Sequence, residues 1–405
     1  MVARPLACVL GDLDLIHCLG LARIPVVPAV LDPRDPAVHS RHARGFLHIP
    51  SLRGDPAELV KALCSFASRQ ERKPVLFYQQ DSSLLALSRH RNELRACYRL
   101  MLPDAELVED TVDKGRFTAL AARHRLPVPE TLLLEPGGDV AGQLQRWDRF
   151  PAILKPAQRS GWFESALSRT FSERQKALPL QRRADLEALI PALLAHQQPL
   201  LLQACVEGGE DRILSYHAYV RPGGERVAEF TGRKVRTWSR TNGLSTCVET
   251  TDDGEVRELG RDLLSRLRFH GVVKIDFKRD ARTEQLFLLE MNPRFNLWHY
   301  PGAVAGVNLP QLVYQDLLEP GSARGGRARP GVRYVALASD FFAFREYRAA
   351  GELSMLAWLR SVAGAHVYRE LTLDDPVTSA YQCLELAGRA LSRASGNTHG
   401  EEARS

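Results

Sequence analysis

The chain has 405 residues, of which 44% are hydrophobic and 25% charged, and its formal net charge at pH 7 is +6. This size predicts two or three globular domains, and no apolar run is long enough to span a membrane. The basic residues are spread along the whole chain, which argues against a nucleic-acid partner. The seven cysteines are scattered without a C-x-x-C pair, which argues against structural zinc and favours the cytoplasm.

Short apolar runs alternate with helical patterns over the first hundred residues. The runs lie at residues 5–10, 24–31 and 74–78. This alternation predicts a parallel, Rossmann-like sheet whose ligands bind beyond the carboxyl ends of the strands. No G-x-G-x-x-G follows the first run, which disfavours a dinucleotide site. Asp12, Gln80 and Asp81 are candidate ligand-binding residues at the predicted strand ends, although capping is the simpler role for each of them.

Two lysines then stand at the ends of predicted elements. Only eight of the 54 basic residues are lysines, and a lysine is a compact charge that fits between phosphate oxygens. Thr111 is placed to cap a helix whose first turn contains Lys114, where a cation requires a neutralising anion. Lys155 lies near the end of a strand predicted over residues 150–156. The alternative for Lys114 is an ordinary surface lysine.

An extended segment over residues 199–206, followed by Glu210, has the form of a nucleotide-binding wall. An extended backbone can offer N–H and C=O groups to an adenine edge, and a carboxylate can accept both ribose hydroxyls. A further β-like run over residues 226–237 places Lys234 and Arg236 on one face. Two neighbouring cations repel each other in an empty site, so this pair is suited to a triphosphate.

The densest group of polar residues lies in a predicted β-hairpin. Its two strands are predicted at residues 272–278 and 285–290. Alternation places Lys274 and Asp276 on one face, and Glu290 and Asn292 also share a face. If the register brings Asp276 beside Glu290, two carboxylates and an amide oxygen form a set suited to Mg²⁺. The alternative is an exposed hairpin with solvated charges.

Two segments follow the first hairpin strand, Glu290-Met-Asn-Pro-Arg294 and Ala305-Gly-Val-Asn-Leu-Pro310. Together with Asp276 they resemble the metal-binding core of the ATP-grasp superfamily, most closely its predicted carboligases and D-aspartate-ligase-like members. The resemblance is strong from residue 203 to 310 and loose elsewhere. It implies an α/β and α+β protein, with an ATP-grasp fold preceded by an N-terminal parallel-sheet (Rossmann-like) domain.

The resemblance also implies ligands and residue roles. The metal, Mg²⁺ or alternatively Mn²⁺, would be held by Asp276, Glu290 and Asn292. Lys274 and Arg294 would act in catalysis. The residues expected at ATP are Lys114, Lys155, Gln203, Cys205, Val206, Glu210, Lys234 and Arg236. Cys205 would be an apolar lining residue and not a nucleophile, and the poorly formed phosphate loop would involve residues 157–165 or Lys176.

The expected division of the chain follows from the same resemblance. It comprises a preceding α/β domain at 1–105, an ATP-grasp small (lid) subdomain at 106–206, a large catalytic subdomain at 207–320, a C-terminal extension at 321–395 and a disordered tail at 396–405. Residues 321–330 are rich in Gly and Arg, and they are predicted to form a flexible linker.

The implied reaction is ATP-dependent amide formation. A carboxylate oxygen attacks the γ-phosphorus, which gives an acyl phosphate and ADP, and an amine then displaces the phosphate. Both partners of the first step are anionic, so stabilisation of negative charge dominates the barrier. The expected partners are small-molecule carboxylate and amine substrates of amino-acid or peptide-like type, and a homodimer is compatible with the resemblance.

Three other functions are weighed against this one. Carboxy-phosphate or carbamoyl chemistry on bicarbonate needs little space, whereas Trp298, His299 and Tyr300 suggest an organic substrate. A non-catalytic ATP-binding regulatory module would be expected to lack a metal ligand, and all three are present. A nicotinamide oxidoreductase is disfavoured by the missing glycine motif.

Overall fold

The computed structural model describes residues 4–51, 54–157, 177–240 and 243–384, and the strands in these ranges form three sheets. No helix in the described ranges is long and apolar enough to cross a membrane. The predictions made for Lys176, for residues 158–165 and for the tail at 396–405 fall outside these ranges.

The N-terminal sheet is parallel, as predicted. Its strands are β1 (Ala7–Leu10), β2 (Val26–Val30), β3 (Leu47–His48), β4 (Val75–Tyr78) and β5 (Arg99–Leu100), in the order β3-β2-β1-β4-β5. Its helices are α1 (Leu13–Leu21), α2 (Pro56–Ala67), α3 (Asp81–Arg89) and α4 (Arg91–Cys97). The strand order reverses between β1 and β4, so the carboxyl ends of these two strands form the topological switch point, where open parallel sheets bind ligands.

One face of this sheet packs against the part of the chain that carries the hairpin. Val9 and Phe77 share a buried cluster with Phe295 and Leu312, and the ring centroids of Phe77 and Phe295 are 5.1 Å apart. Burial of these side chains fixes the switch point next to the segment that follows the hairpin.

The second sheet is antiparallel and has the order β6-β9-β7-β8. Its strands are β6 (Thr131–Leu134), β7 (Ala152–Pro156), β8 (Leu178–Leu180) and β9 (Leu200–Ala204), and the helices in this part are α5 (Ala105–Val112), α6 (Lys114–Arg123), α7 (Val140–Arg146), α8 (Arg183–Glu187) and α9 (Ile190–Leu194). The predicted cap at Thr111 is wrong, because Thr111 lies inside α5 and donates to the Leu107 carbonyl. Asp113 caps α6 by accepting from the Arg116 N–H.

The third sheet carries the predicted hairpin and has the order β14-β13-β10-β11-β12-β15-β16. Its strands are β10 (Ile213–Val220), β11 (Arg226–Trp238), β12 (Leu244–Thr251), β13 (Gly271–Arg279), β14 (Leu286–Asn292), β15 (Arg333–Val335) and β16 (Val367–Tyr368), and the helices are α10 (Gly254–Arg266), α11 (His299–Val304), α12 (Leu309–Leu318), α13 (Leu337–Ala349) and α14 (Met355–Ala363). Val273, Ile275 and Phe277 pack in one cluster with Leu263 of α10. Their burial leaves the alternate residues of β13 on the opposite face.

The C-terminal part of the chain continues the third sheet. β15 pairs with β12 and β16 pairs with β15. The predicted flexible linker at 321–330 is irregular but packed: the Ala323 N–H donates to Asp316 at 2.9 Å, and a side chain on Gly325 would overlap Val227. Composition did not reveal these tertiary contacts, and the flexibility of the linker stays a prediction.

Candidate active site

The hairpin has the register that the metal-site prediction required. Asp276 of β13 lies opposite Glu290 of β14, and Lys274 lies opposite Asn292. The register shifts directly after Asp276, so one residue of β14 is bulged where the two carboxylates meet. Two carboxylates, an amide and an ammonium group are thus brought together on one patch of the sheet.

Two lysines surround the buried carboxylate of this patch. Asp276 is 2% exposed, and its Oδ2 accepts from Lys274 Nζ at 2.6 Å. Lys234 Nζ reaches from β11 to within 4.0 Å of the same oxygen. Burial raises the pKa of Asp276, and the charges of Lys274 and Lys234 oppose that shift.

The remaining oxygens of the patch fit a divalent cation. Asp276 Oδ1 is buried and has no hydrogen-bond partner within the described ranges, which is the condition expected of a metal ligand. Glu290 is exposed to the cleft and accepts from Asn292 Nδ2 at 2.9 Å. Desolvation raises the pKa of Glu290, but Lys274, Lys234 and the Asn292 hydrogen bond lower it to about 2. Asp276, Glu290 and Asn292 can therefore hold Mg²⁺ through oxygen atoms, with phosphates completing its shell.

Arg294 connects this patch to the N-terminal sheet. Its guanidinium forms an ion pair with Asp81 at the start of α3 and donates to the Gln79 carbonyl at 3.0 Å. It also lies 3.4 Å from Asn292 Oδ1. Arg294 thus stands between the predicted metal ligands and the switch point, where an anionic substrate group can reach both.

A cleft runs from the patch to the second sheet. Its lining includes Lys114, Lys155, Gln203, Glu290 and Asn292. Lys155 Nζ donates to Gln203 Oε1 at 2.8 Å. Burial, followed by the charge of Lys114, lowers the pKa of Lys155 to about 8. The predicted phosphate-binding lysines thus lie beside the predicted metal ligands, although they precede them by more than a hundred residues.

The segment after β9 lies within electrostatic range of Lys155 and Lys278. The Cys205 N–H already donates to the Pro151 carbonyl at 2.9 Å, so its carbonyl is the backbone group left to contact an adenine edge. Burial raises the pKa of the Cys205 thiol, which agrees with a passive lining role. Val206 follows in the same partly exposed segment.

Glu210 begins a short 3₁₀ helix and lies within electrostatic range of Lys234, Lys278 and Tyr347. The site-residue predictions left out Lys278 and Tyr347. The alternation of β13 places Lys278 on the same face as Asp276, and this signal was available in the sequence. Tyr347 comes from α13, and no local pattern indicates that this helix returns to the cleft.

Arg236 requires a correction. Its guanidinium is buried and donates to both oxygens of Asp340, at 2.9 and 2.7 Å. Thr246 and Trp358 donate to the same carboxylate at 2.8 and 2.9 Å. Since Asp340 lies on α13, the pair attaches this helix to β11, and the Arg236 guanidinium is bound to Asp340, whereas Lys234 reaches towards Asp276.

The aromatic segment after the hairpin also differs from expectation. Trp298, His299 and Tyr300 are at most 5% exposed, so they do not line an open substrate pocket. Trp298 packs against Gly232, where any side chain would overlap its ring. These residues support the sheet from the interior, so they give no indication of an organic substrate.

The capping roles predicted at the switch point are confirmed for two of the three residues. Asp12 caps α1 by accepting from the Asp14 N–H at 3.1 Å, and Gln80 forms a capping box with Ser83 on α3. Asp81 instead binds Arg294.

Comparison with known proteins agrees with this architecture. No protein-family model matches the sequence. D-aspartate ligase from Enterococcus faecium (strain Aus0004) is 23% identical over 278 residues, covering 66% of this chain, and the chain spans about 65% of the length of that relative. Biotin carboxylase from Campylobacter jejuni aligns with a TM-score of 0.60 at 14% identity, over 82% of this chain and 74% of that one.

L-amino acid ligase from Bacillus licheniformis aligns with a TM-score of 0.57 at 14% identity, over 82% of this chain and 78% of that one. These structural neighbours are ATP-grasp enzymes, and the chain has their fold. The predicted fold class is therefore confirmed.

Proposed function

We propose that the protein is an ATP-dependent carboxylate-amine ligase that forms an amide bond through an acyl phosphate and releases ADP and phosphate. The observation that carries this proposal is the pairing of Asp276 with Glu290 beside Lys274 and Lys234. This arrangement concentrates positive charge and metal-binding oxygens at one end of a cleft. Such a site suits phosphoryl transfer, in which catalysis depends on positioning and on stabilisation of negative charge.

Asp276, Glu290 and Asn292 would hold Mg²⁺, or Mn²⁺ in its place. The metal would supply Lewis-acid neutralisation of the phosphate oxygens. Lys274 and Lys234 hold further positive charge beside the same carboxylates. Arg294 is assigned to the carboxylate that becomes the acyl phosphate, because it lies next to Asn292 and is partly exposed.

The nucleotide would occupy the cleft between the second and third sheets. Lys114 and Lys155 would bind its phosphates, and Gln203 positions Lys155 through the 2.8 Å hydrogen bond. The Cys205 carbonyl and the Val206 backbone would meet the adenine edge. Glu210 would bind the ribose hydroxyls, and Arg236 would hold α13 in place without contributing to the affinity for ATP.

The substrate class is supported by the names of two of the three similar proteins, D-aspartate ligase and L-amino acid ligase, and by the ionic groups around Arg294. The test is to incubate the protein with ATP, Mg²⁺ and pools of L- and D-amino acids, singly and in pairs, and to measure ADP and phosphate. We expect stoichiometric release of both with at least one pool. Bicarbonate as the sole co-substrate serves as the control, and release with bicarbonate alone would support carboxy-phosphate chemistry instead.

A further inference from the structure

The C-terminal part of the chain reaches the switch point of the N-terminal sheet. Arg369, directly after β16, places Nη2 3.4 Å from Asp12 Oδ2 and Nε 3.9 Å from Asp14 Oδ2. Asp12 follows β1, so this arginine lies where parallel sheets bind ligands. We call Asp12, Asp14, Tyr334 and Arg369 the switch-point site.

A buried acid in this site has an unused oxygen. Asp14 is 1% exposed. Its Oδ2 accepts from the Tyr334 hydroxyl at 3.1 Å, whereas its Oδ1 has no hydrogen-bond partner in the described part of the chain. Burial and the charge of Asp12 raise the pKa of Asp14 to about 8, against the opposing effect of Arg369. A buried carboxyl oxygen without a partner is costly unless a ligand or water completes it.

Arg369 itself has spare capacity. Its side chain is 39% exposed, and the 3.4 Å contact with Asp12 is its one side-chain hydrogen bond to described residues. A guanidinium has five N–H donors in a planar fork, which matches a carboxylate in bidentate geometry. The adjacent Asp12 carboxylate, 36% exposed, can accept from an ammonium group.

A residue of β4's carboxyl end links the switch-point site to the candidate active site. The Gln79 amide donates to Asp12 Oδ1 at 2.8 Å and accepts from the Asp12 N–H at 2.9 Å. The Gln79 carbonyl accepts from Arg294 at 3.0 Å. Gln79 thus contacts both Asp12 and Arg294, so the switch-point site adjoins the candidate active site.

The segment after Arg369 is anchored to the N-terminal domain. Asp375 accepts from Ser40 Oγ at 2.5 Å and from the Arg41 N–H at 3.2 Å. The Arg41 side chain donates to the Asp374 carbonyl at 2.7 Å. These contacts fix the segment after Arg369 against the N-terminal domain, which carries Asp12.

We propose that the switch-point site binds the zwitterionic α-ammonium and carboxylate groups of an amino-acid substrate, with the carboxylate on Arg369 and the ammonium on Asp12. Adjacent opposite charges match a zwitterion and discriminate against a substrate that carries one charge alone. The proposal rests on the proposed ligase function for calling this amino acid a substrate. It makes the C-terminal extension a part of the binding site.

The first test uses the wild-type protein. Individual free L- and D-amino acids are titrated calorimetrically in the presence of Mg²⁺ and a non-hydrolysable ATP analogue. At least one should bind, and its N-acetyl and methyl-ester derivatives should each bind about 10- to 100-fold more weakly, because each loses one charge-assisted contact. The proposal is overturned if no amino acid binds, or if the blocked forms bind as tightly as the free one.

Variants locate the binding. Arg369→Ala should weaken binding of the same amino acid by a similar factor and keep the wild-type affinity for the ATP analogue. Arg369→Lys should restore part of the loss, since it keeps the charge but not the fork. Arg360→Ala, which removes an exposed arginine from α14, is the matched control and should bind as wild type.

Wild-type amino-acid affinity in Arg369→Ala would overturn the proposal. If Arg369→Ala binds neither the amino acid nor the ATP analogue, it has failed to fold. The proposal is then tested by the binding of the N-acetyl and methyl-ester derivatives to the wild-type protein. Failure of the ligase function has a different signature. In that case the free amino acid binds to the wild-type protein and more weakly to Arg369→Ala, but no ADP is released when ATP is added. The binding site would then be confirmed and the ligase reaction would not.

Discussion

Glu290 is the residue whose replacement should separate chemistry from folding. It is exposed to the cleft and contacts Asn292 at the mouth of the metal patch, so Glu290→Gln removes a charge without removing packing. We expect ADP release to fall by about 100- to 1,000-fold, the usual effect of losing one electrostatic stabiliser, while the protein still folds. Glu258→Gln, an exposed position on α10, is the control. Wild-type turnover in Glu290→Gln would contradict the metal assignment.

The protonation of the Lys155 side chain should change when a nucleotide binds. Its pKa is lowered to about 8 in the empty site, and nearby phosphates would raise it because they stabilise the charged form. At pH values above 8 the free side chain is largely neutral, so ATP binding should take up a proton and the affinity should fall as pH rises. Well below pH 8, Lys155 is already charged and contributes no uptake.

Calorimetry in buffers of different ionisation enthalpy measures this proton uptake. Lys155→Met should abolish it and weaken ATP binding, whereas Lys61→Met, at an exposed position on α2, should change neither. Equal uptake in wild type and Lys155→Met would show that another group titrates on binding.

At the scale of elements, the buried pair between Arg236 and Asp340 should stabilise the attachment of α13. Loss of one partner leaves a buried charge unpaired, which typically costs about 3–5 kcal/mol. We therefore expect Asp340→Ala and Arg236→Met to lower the free energy of unfolding by about that amount in urea titrations. The folded fraction of Arg236→Met should bind ATP like the control Arg345→Met, an exposed position on α13.

Variants of this pair also show whether Arg236 binds Asp340, as in the structure, or ATP, as the sequence predicted. If Arg236→Met keeps its stability but weakens ATP binding as much as Lys155→Met does, Arg236 contacts the nucleotide directly. The alternation of β11 indicated one face for Lys234 and Arg236, but it carried no information about a helix that begins a hundred residues later.

The anchor at Asp375 gives the C-terminal segment a pH-dependent attachment. Burial alone would raise the pKa of Asp375, but the neighbouring His17, 3.5 Å away, and hydrogen bonds from Ser40 and the Arg41 N–H hold it well below its usual 3.8. A lowered acid pKa stabilises the fold above about pH 3.8, and that contribution disappears as the pH falls through the folded-state value.

Asp375→Asn should therefore lower stability at pH 7 by about 1–3 kcal/mol and flatten the loss of stability at acid pH. Unfolding free energies measured from pH 7 downward test this. Parallel acid limbs in variant and wild type would show that Asp375 does not titrate with folding. Asp374→Asn, beside it in the chain, gives the comparison for the neighbouring His42 contact.

For the whole molecule, local periodicity predicted the strands and the faces on which their side chains lie. It gave the parallel N-terminal sheet and the two hairpin strands, and it identified Asp276 and Glu290 as partners conditional on a register that the structure has. It did not reveal the contact of Arg369 with Asp12, which are 357 residues apart, or the packing of residues 321–330. These features depend on which elements meet in three dimensions, and a single sequence does not encode that in any local pattern.

The arrangement of charge over the whole cleft predicts the nucleotide product. Lys274 and Lys234 lie beside the carboxylate of Asp276, whereas Lys155 is held by Gln203 on the side of the cleft formed by the second sheet. We therefore expect the γ-phosphoryl group of ATP to lie at Asp276 and Glu290, where two lysines and the proposed metal would stabilise its charge. We expect ADP and phosphate as products, and hydroxylamine should trap the acid substrate as its hydroxamate even without the amine, because an acyl phosphate is an activated acyl donor. Chromatography of the nucleotides and colorimetric detection of the hydroxamate test this. Stoichiometric AMP and pyrophosphate would place the reaction at the α-phosphate and would overturn the roles given to Asp276, Glu290 and Arg294.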